Sequence, residues 1–283
     1  MKRVLIAGSG SYIGTHLLDE LSRYSDRYDA QELDVRKPWP ANAFCGFDVV
    51  VIVAGLAHKK ETKENRLDYQ RVNCDLAVQI AEEAKKAGVH QLIYLSSMSV
   101  YGLNEGRITK NTHPDPKTAY GQSKWNGEQQ LSLLVDDTFT VAVLRPPMVY
   151  GRNCPGNYGK LAALAVKVPI FPYFYNERSM IYVETLCNWI RQIIEEQTGG
   201  LFFPQNSAYV QTIELMKQIA KCHGRTLRTV KGFDWCVVLL RRLFPAARKA
   251  FGTLTYEKEM SESFLWNEQI SFEESICKSE GVP

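Results

Sequence analysis

The chain opens on RVLIAGSGSYIGTHLLDELSRY, an apolar run that breaks into three closely spaced glycines and resumes as a helical pattern. RVLIA reads as a buried strand, and from Tyr12 the apolar residues fall at helical spacing. Between them, Gly8, Gly10 and Gly14 make a turn that needs positive φ and no Cβ. Backbone amides at the helix N-terminus can then face a pyrophosphate. A turn serving only packing is the plainer alternative, and the strand-turn-helix order speaks against it. Such a turn predicts an acidic residue about 20 positions on, for a ribose, and Asp34 lies at 34 − 14 = 20. Arg36, two residues later, could instead hold a 2′-phosphate, so NAD and NADP both stay open.

The alternation continues. FDVVVIVAG, QLIYLSS and FTVAVLRPPMVYG read as further strands, with RVNCDLAVQIAEEAKKAGV and a segment from Ala119 as helices. This is the pattern of an α/β protein, a Rossmann-like doubly wound parallel sheet, whose ligands bind beyond the carboxyl ends of the strands. After Tyr150 the rhythm changes: CPGNYG reads as a loop and IFPYFY is aromatic and broken by proline. The expected division is a dinucleotide-binding domain over 1–155, with 181–197 returning to it, and a smaller C-terminal substrate-binding domain over 156–180 and 198–283.

A net charge of +3 is too mild to imply nucleic acid. The seven cysteines form no CxxC pair and no metal-ligand spacing, so no metal is expected and they read as reduced thiols. MKRVLIA has too short an apolar part for an export signal, and VVVIVAGLA is well short of a membrane span. A cytoplasmic location is the expectation.

AYGQSK places the phenol of Tyr120 four positions before the ammonium of Lys124, which on a helix puts both on one face. Alone, the pair is a common accident. Its chemical sense is that a phenol with a pKa near 10 is a poor base until a neighbouring positive charge favours phenolate. A hydroxyl from SSMS, with Ser97 favoured over Ser96 and Ser99, could hold a substrate oxygen while its proton moves.

Together AGSGSYIG, VAGLAH, RVNCDLA, YLSSMSVYG, AYGQSKWNGE, LRPPMVYG and NERSMIYVETL resemble the extended short-chain dehydrogenases/reductases, and within them the nucleotide-sugar epimerases and dehydratases. The resemblance spans residues 3 to about 190 and is specific because all seven segments keep their order. It implies Ser97, Tyr120 and Lys124 as the catalytic residues. Cofactor-binding residues implied are Gly8, Gly10, Ser11, Tyr12, Ile13, Gly14, Ala54 and Gly55, with Asp34, Val35 and Arg36 matching an adenine-gripping segment. Asn73 would support the neighbouring strand, and Asn157 and Arg178 would hold the substrate's diphosphate. Two departures stand out: Ser11 replaces the middle turn glycine, and the chain is one strand-helix unit short before Asp48.

The resemblance thus implies a UDP-hexose 4-epimerase-like enzyme with bound NAD, acting on a UDP- or dTDP-sugar. An NADP-dependent 4-keto-sugar reductase would use the same three residues. A dehydratase fits less well, because LSSMSVYG lacks the acidic residues of that branch. A catalytically idle sensor or scaffold is the alternative from another class, and retention of both Tyr120 and Lys124 argues against it. Homodimers are an analogy of the family only. His58 reads as a helix-start or solvent histidine. WCVVLLRRLFPAARKAF, 235–251, is a basic amphipathic segment whose apolar side is expected in the core, with membrane contact not expected.

Overall fold

The sheet begins at a polar edge strand that the hydrophobic pattern does not reveal. In the computed structural model, which describes residues 1–57, 59, 61–243, 245–261 and 270–282, the chain forms two units. The first comprises 1–102, 113–146 and 186–204, and the second 103–112, 147–185 and 205–283. Compared with the expected division, 103–112 and 147–155 go with the second unit, and the returning segment is 186–204.

Numbered along the whole chain, the first unit holds β1 (Lys2–Ala7), α1 (Tyr12–Ser22), β2 (Tyr28–Leu33), β3 (Val49–Ile52), α2 (Arg66–Gln70), α3 (Leu76–Lys86), β4 (Gln91–Leu95), α4 (Ala119–Ser132), β6 (Thr140–Leu144), most of α6 (Val183–Glu196) and β10 (Gly200–Phe202). The second holds β5 (Gly106–Ile108), β7 (Met148–Tyr150), α5 (Asn157–Lys167), β8 (Ile170–Pro172), β9 (Met180–Tyr182), α7 (Thr212–Cys222), β11 (Arg228–Val230), α8 (Asp234–Leu243), α9 (Pro245–Phe251), β12 (Leu254–Tyr256) and α10 (Phe272–Glu280).

The six strands of the first unit run in the order β10-β6-β4-β3-β1-β2, all parallel. β1 is apolar throughout because it is covered on both faces. Leu5 and Ala7 join a core with Val50, Ile52, Leu92 and Tyr94 of the neighbouring strands and Ala77, Ile80, Ala81 and Ala84 of α3. Val4 and Ile6 alternate to the other face and are equally buried, as are Leu17 and Leu21 of α1. The Lys2 ammonium donates to Ile194 O at 2.7 Å and the Gln91 amide to Ile193 O at 2.9 Å, tying α6 to the sheet. β2, YDAQEL, is polar because an edge strand pairs on one side only and keeps one flank open to solvent. β3 follows with no intervening helix, which is the shortfall anticipated before Asp48.

In the second unit, three two-stranded parallel ribbons (β7 with β9, β8 with β11, β5 with β12) are packed by short helices. Asn157, Tyr158 and Gly159, expected in a loop, open α5. Two cysteines depart from the free-thiol reading. Cys222 and Cys277, 55 residues apart in sequence, are joined in a disulfide with Cα atoms 5.6 Å apart. Packing of α7 against α10 creates this juxtaposition, so sequence spacing gives no sign of it. The segment 235–251 also differs from expectation: it breaks at Pro245 into α8 and α9, and most of α8's apolar residues are exposed rather than in the core.

Candidate active site

At the carboxyl end of β1 the glycine turn is shaped by a close backbone approach at Gly8 and by positive φ at Gly8 and Gly10. Gly8 has φ 131°, and a Cβ there would sit 2.7 Å from Ala54 N. Gly10 has φ 68° and faces open space. Ser11, where the family turn has its middle glycine, is the N-cap of α1, and its hydroxyl accepts from Gly14 N at 3.2 Å. No glycine could make that cap. Tyr12 and Ile13 begin the helix.

A carboxylate does reach this turn, from Glu32 of β2 rather than from Asp34. Gly10 N donates to Glu32 Oε1 at 3.1 Å and the Ser9 hydroxyl to Oε2 at 3.3 Å. Asp34 is instead paired with Arg36, whose Nε donates at 2.7 Å, and this partner holds its carboxyl below the usual carboxylate range. Val35 is buried in the core of the sheet. Glu32 lies at 32 − 14 = 18 positions past Gly14, close enough to the expected spacing to have been found had YDAQEL been read as a strand.

Tyr120 and Lys124 lie one turn apart on α4, whose N-cap Thr118 accepts from Gly121 N. The Ala119 amide, just before Tyr120, donates to Glu61 at 2.9 Å. Burial pushes the Tyr120 phenol above its ordinary pKa, and a hydrogen bond from Ser97 pulls it back. Ser97 caps the short 3₁₀ turn Met98–Tyr101, accepting from Ser99 N at 3.1 Å. Its neighbours are placed differently: Ser96 donates to Glu128 and Ser99 is exposed. Lys124 is buried, its ammonium donating to Leu95 O at 2.6 Å and lying 4.6 Å from the Tyr94 ring centroid. Burial lowers its pKa to about 7, against the opposing charge of Glu128. A Cβ at Gly55 would stand 3.3 Å from the ammonium and 3.2 Å from Asn73 Oδ1, so a side chain there would press on both groups.

Behind this row, Asn73 fixes three segments at once. Its side chain accepts from Leu56 N at 2.7 Å and donates to Leu56 O and Ser123 Oγ, each at 3.0 Å, while its backbone carbonyl accepts from the Tyr94 hydroxyl at 2.6 Å. It sits in a π-helical turn, Arg71–Asp75, between α2 and α3. Tyr69 of α2 stands edge-on to Tyr120 with centroids 6.4 Å apart. Glu128, one turn beyond Lys124, takes a forked ion pair from Arg145, with contacts of 2.5 and 3.1 Å, and Arg145 Nη1 donates to the Tyr101 hydroxyl at 2.7 Å. Both charged side chains are at least nine-tenths buried.

The two other expected substrate residues belong to the second unit. Asn157 is exposed in the first turn of α5, after Gly156. Arg178 Nη1 donates to Gly252 O at 2.8 Å, and burial brings its guanidinium down to about pKa 10 despite the charge of Glu105. A cleft of about 390 Å³ in this unit, lined by Tyr150, Tyr182, Tyr209 and Glu273, contains none of the expected residues. His58 lies outside the described residues. No His, Cys, Asp and Glu cluster able to hold a metal occurs among the described residues.

The parallel sheet and its glycine turn define a Rossmann-type dinucleotide-binding protein. The family model for the NAD dependent epimerase/dehydratase family matches residues 4–202, and the chain belongs to that family. It is 28% identical over 273 residues to UDP-glucose 4-epimerase of Vibrio cholerae, covering 86% of this chain and 82% of that protein. It is also 28% identical over 222 residues to N-acetyl-alpha-D-glucosaminyl-diphospho-ditrans,octacis-undecaprenol 4-epimerase of Escherichia coli O157:H7, covering 70% and 64%. Among solved structures, UDP-glucuronic acid 4-epimerase from Bacillus cereus, in complex with UDP-glucuronic acid and NAD, has a TM-score of 0.78 at 16% identity over 99% of this chain and 98% of that one. A dTDP-4-dehydrorhamnose reductase from Clostridium acetobutylicum has 0.74 at 17% identity, covering 98% of each. At such identities the structural likeness is one of fold.

Proposed function

We propose that the protein is an NAD-dependent 4-epimerase of a sugar carried on a nucleoside diphosphate, with Ser97, Tyr120 and Lys124 as its catalytic residues. The observation that carries the reading is the row on α4: the Tyr120 phenol, followed one turn later by the buried ammonium of Lys124. Epimerases among the relatives, one matching over 86% of the chain, favour this outcome over reduction.

The residues at the turn fit a dinucleotide. Gly8 leaves a cradle that a Cβ would fill, the N-terminus of α1 opens beyond it, and Glu32 supplies an acceptor for ribose hydroxyls. Bound NAD supplies a hydride acceptor that can return the hydride to either face of the sugar carbon. The chain itself manages the proton. Tyr120 takes it from the sugar hydroxyl and gives it back, and Ser97 donates to the same oxygen, holding it within reach. Lys124, when charged, favours the phenolate against the burial that opposes it. Arg178 and Asn157 bind the substrate diphosphate: a half-buried guanidinium that gives one donor to Gly252 O can offer others to phosphate oxygens, and the first turn of α5 offers amides.

The test is to denature the purified protein and identify the nucleotide it releases, then to follow interconversion of UDP-glucose and UDP-galactose and of their N-acetyl counterparts. Stoichiometric NAD with turnover in both directions is expected. Release of NADP, or net consumption of NADPH by a keto sugar without epimerisation, would assign the chain to the reductases instead.

Two further outcomes follow. Glu32→Ser is expected to weaken NAD and to improve NADP binding by about tenfold or more, since a carboxylate repels a 2′-phosphate; parallel titrations with both cofactors measure it. Arg178→Leu is expected to raise the substrate KM by about tenfold to a hundredfold, with bound NAD unchanged, as loss of a charge-assisted contact to phosphate predicts.

A further inference from the structure

We propose that the exposed face of α8 docks on an anionic lipid bilayer surface. Trp235, Val238, Leu239, Leu240 and Leu243 are between 38% and 60% exposed, and of the apolar residues of this helix only Val237 is fully buried. Single exposed apolar side chains are ordinary, but five on one ten-residue helix form a continuous patch. Phe233, just before the helix, Val230 of β11 and Ile170 of β8, beside which α8 packs, are exposed as well.

The charge around this patch identifies its partner. Residues 225–251 contain seven basic residues (Arg225, Arg228, Lys231, Arg241, Arg242, Arg248 and Lys249) and one acidic, Asp234, a net of +6. The whole chain carries +3, so the remainder is 3 − 6 = −3, and the positive charge is concentrated on this segment. Arg241 is paired with Glu105 at 2.7 Å, whereas Arg242 and Lys249 make no ion pair among the described residues. Arg242 lies within the apolar arc, one turn beyond Val238, where its stem can follow the apolar surface while its head meets phosphate.

The helix spans roughly 15 Å at 1.5 Å per residue. No helix among the described residues is long and apolar enough to cross a membrane. A short helix with Trp and Leu on one side and arginines about it lies in the headgroup region instead. A second copy of the chain suits the patch less well, since a two-fold contact would set Arg242 and its basic neighbours against their own symmetry mates. The inference is independent of the reaction proposed above.

The full chain is tested by flotation with vesicles of phosphatidylcholine alone or with about one third phosphatidylglycerol, at low and about 0.5 M salt. Binding to the anionic vesicles at low salt is expected, falling tenfold or more without phosphatidylglycerol or at high salt. A double variant Arg242→Glu with Lys249→Glu, and a second double variant Leu239→Ser with Leu243→Ser, should each lower the bound fraction by about tenfold. All four positions are exposed, so circular dichroism should be unchanged and loss of binding is not loss of folding. A chain that stays unbound on anionic vesicles overturns the proposal, as does a leucine double variant that binds like the parent. A parent dimer that the leucine double variant splits into monomers, without vesicle binding by the parent, would assign the face to a second copy.

Discussion

A Tyr120→Phe variant is expected to lose about 10³-fold in turnover while releasing the same amount of bound nucleotide on denaturation. Phenylalanine keeps the ring against Tyr69 and removes only the hydroxyl. The loss therefore measures proton transfer, for which a positioned acid or base contributes about 10²- to 10⁴-fold. A variant that epimerises at the parental rate would remove Tyr120 from the mechanism. A variant that also loses its nucleotide would show that the phenol serves binding. Steady-state rates and nucleotide stoichiometry on one preparation separate the three results.

The second large effect is expected at Glu128. Replacing it with glutamine leaves Arg145 buried without its anion and leaves Ser96 with a neutral partner. Breaking a buried pair on one side costs about 3–5 kcal/mol, which thermal unfolding should register as a fall of roughly 10 °C for a chain this long. A kinetic signature accompanies it. The carboxylate of Glu128 raises the pKa of Lys124 while burial lowers it to about 7. Removing that charge moves the lysine further down, so the ammonium is lost at lower pH. The alkaline limb of the pH profile should shift to lower pH in Glu128→Gln. A stability loss with an unmoved profile would confine the pair to a structural role.

Linkage gives the same lysine a part in stability. Its folded pKa lies below the ordinary 10.5, so the unfolded chain binds the proton more tightly. Folding is therefore penalised by Lys124 below about pH 7, and the penalty disappears as pH rises toward 10.5.

The sequence makes the sheet legible wherever strands are buried on both faces, because RVLIA, VVVI and QLIYL can only be interior. It conceals β2, whose single pairing and solvent flank permit Tyr-Asp-Ala-Gln-Glu-Leu, and with it the residue that meets the glycine turn. Helical spacing reveals the partnership of Tyr120 and Lys124, but not Glu128 as its extension, because a carboxylate on that face gains meaning only once Arg145 arrives from beyond β6. Ser97 could be favoured over its neighbours but not separated from them, since all three share one chemistry and differ only in direction. The disulfide and the exposed face of α8 are wholly tertiary facts. A pattern of apolar residues predicts a helix face without saying what covers it.

The π-helical turn at Arg71–Asp75 frees a backbone group while the helices on either side keep their phase. A widened turn holds one residue more than the regular spiral needs, and an α-helix advances about 100° per residue. Because the widened turn absorbs its surplus residue, deleting one residue from it would restore the regular spiral and leave α2 and α3 in nearly the phase they hold now. Tyr69 would still face Tyr120, whereas the Asn73 carbonyl would be drawn into the regular ladder and away from the Tyr94 hydroxyl. One surplus residue thus releases a backbone carbonyl to the Tyr94 hydroxyl without altering the side from which α2 faces the catalytic row.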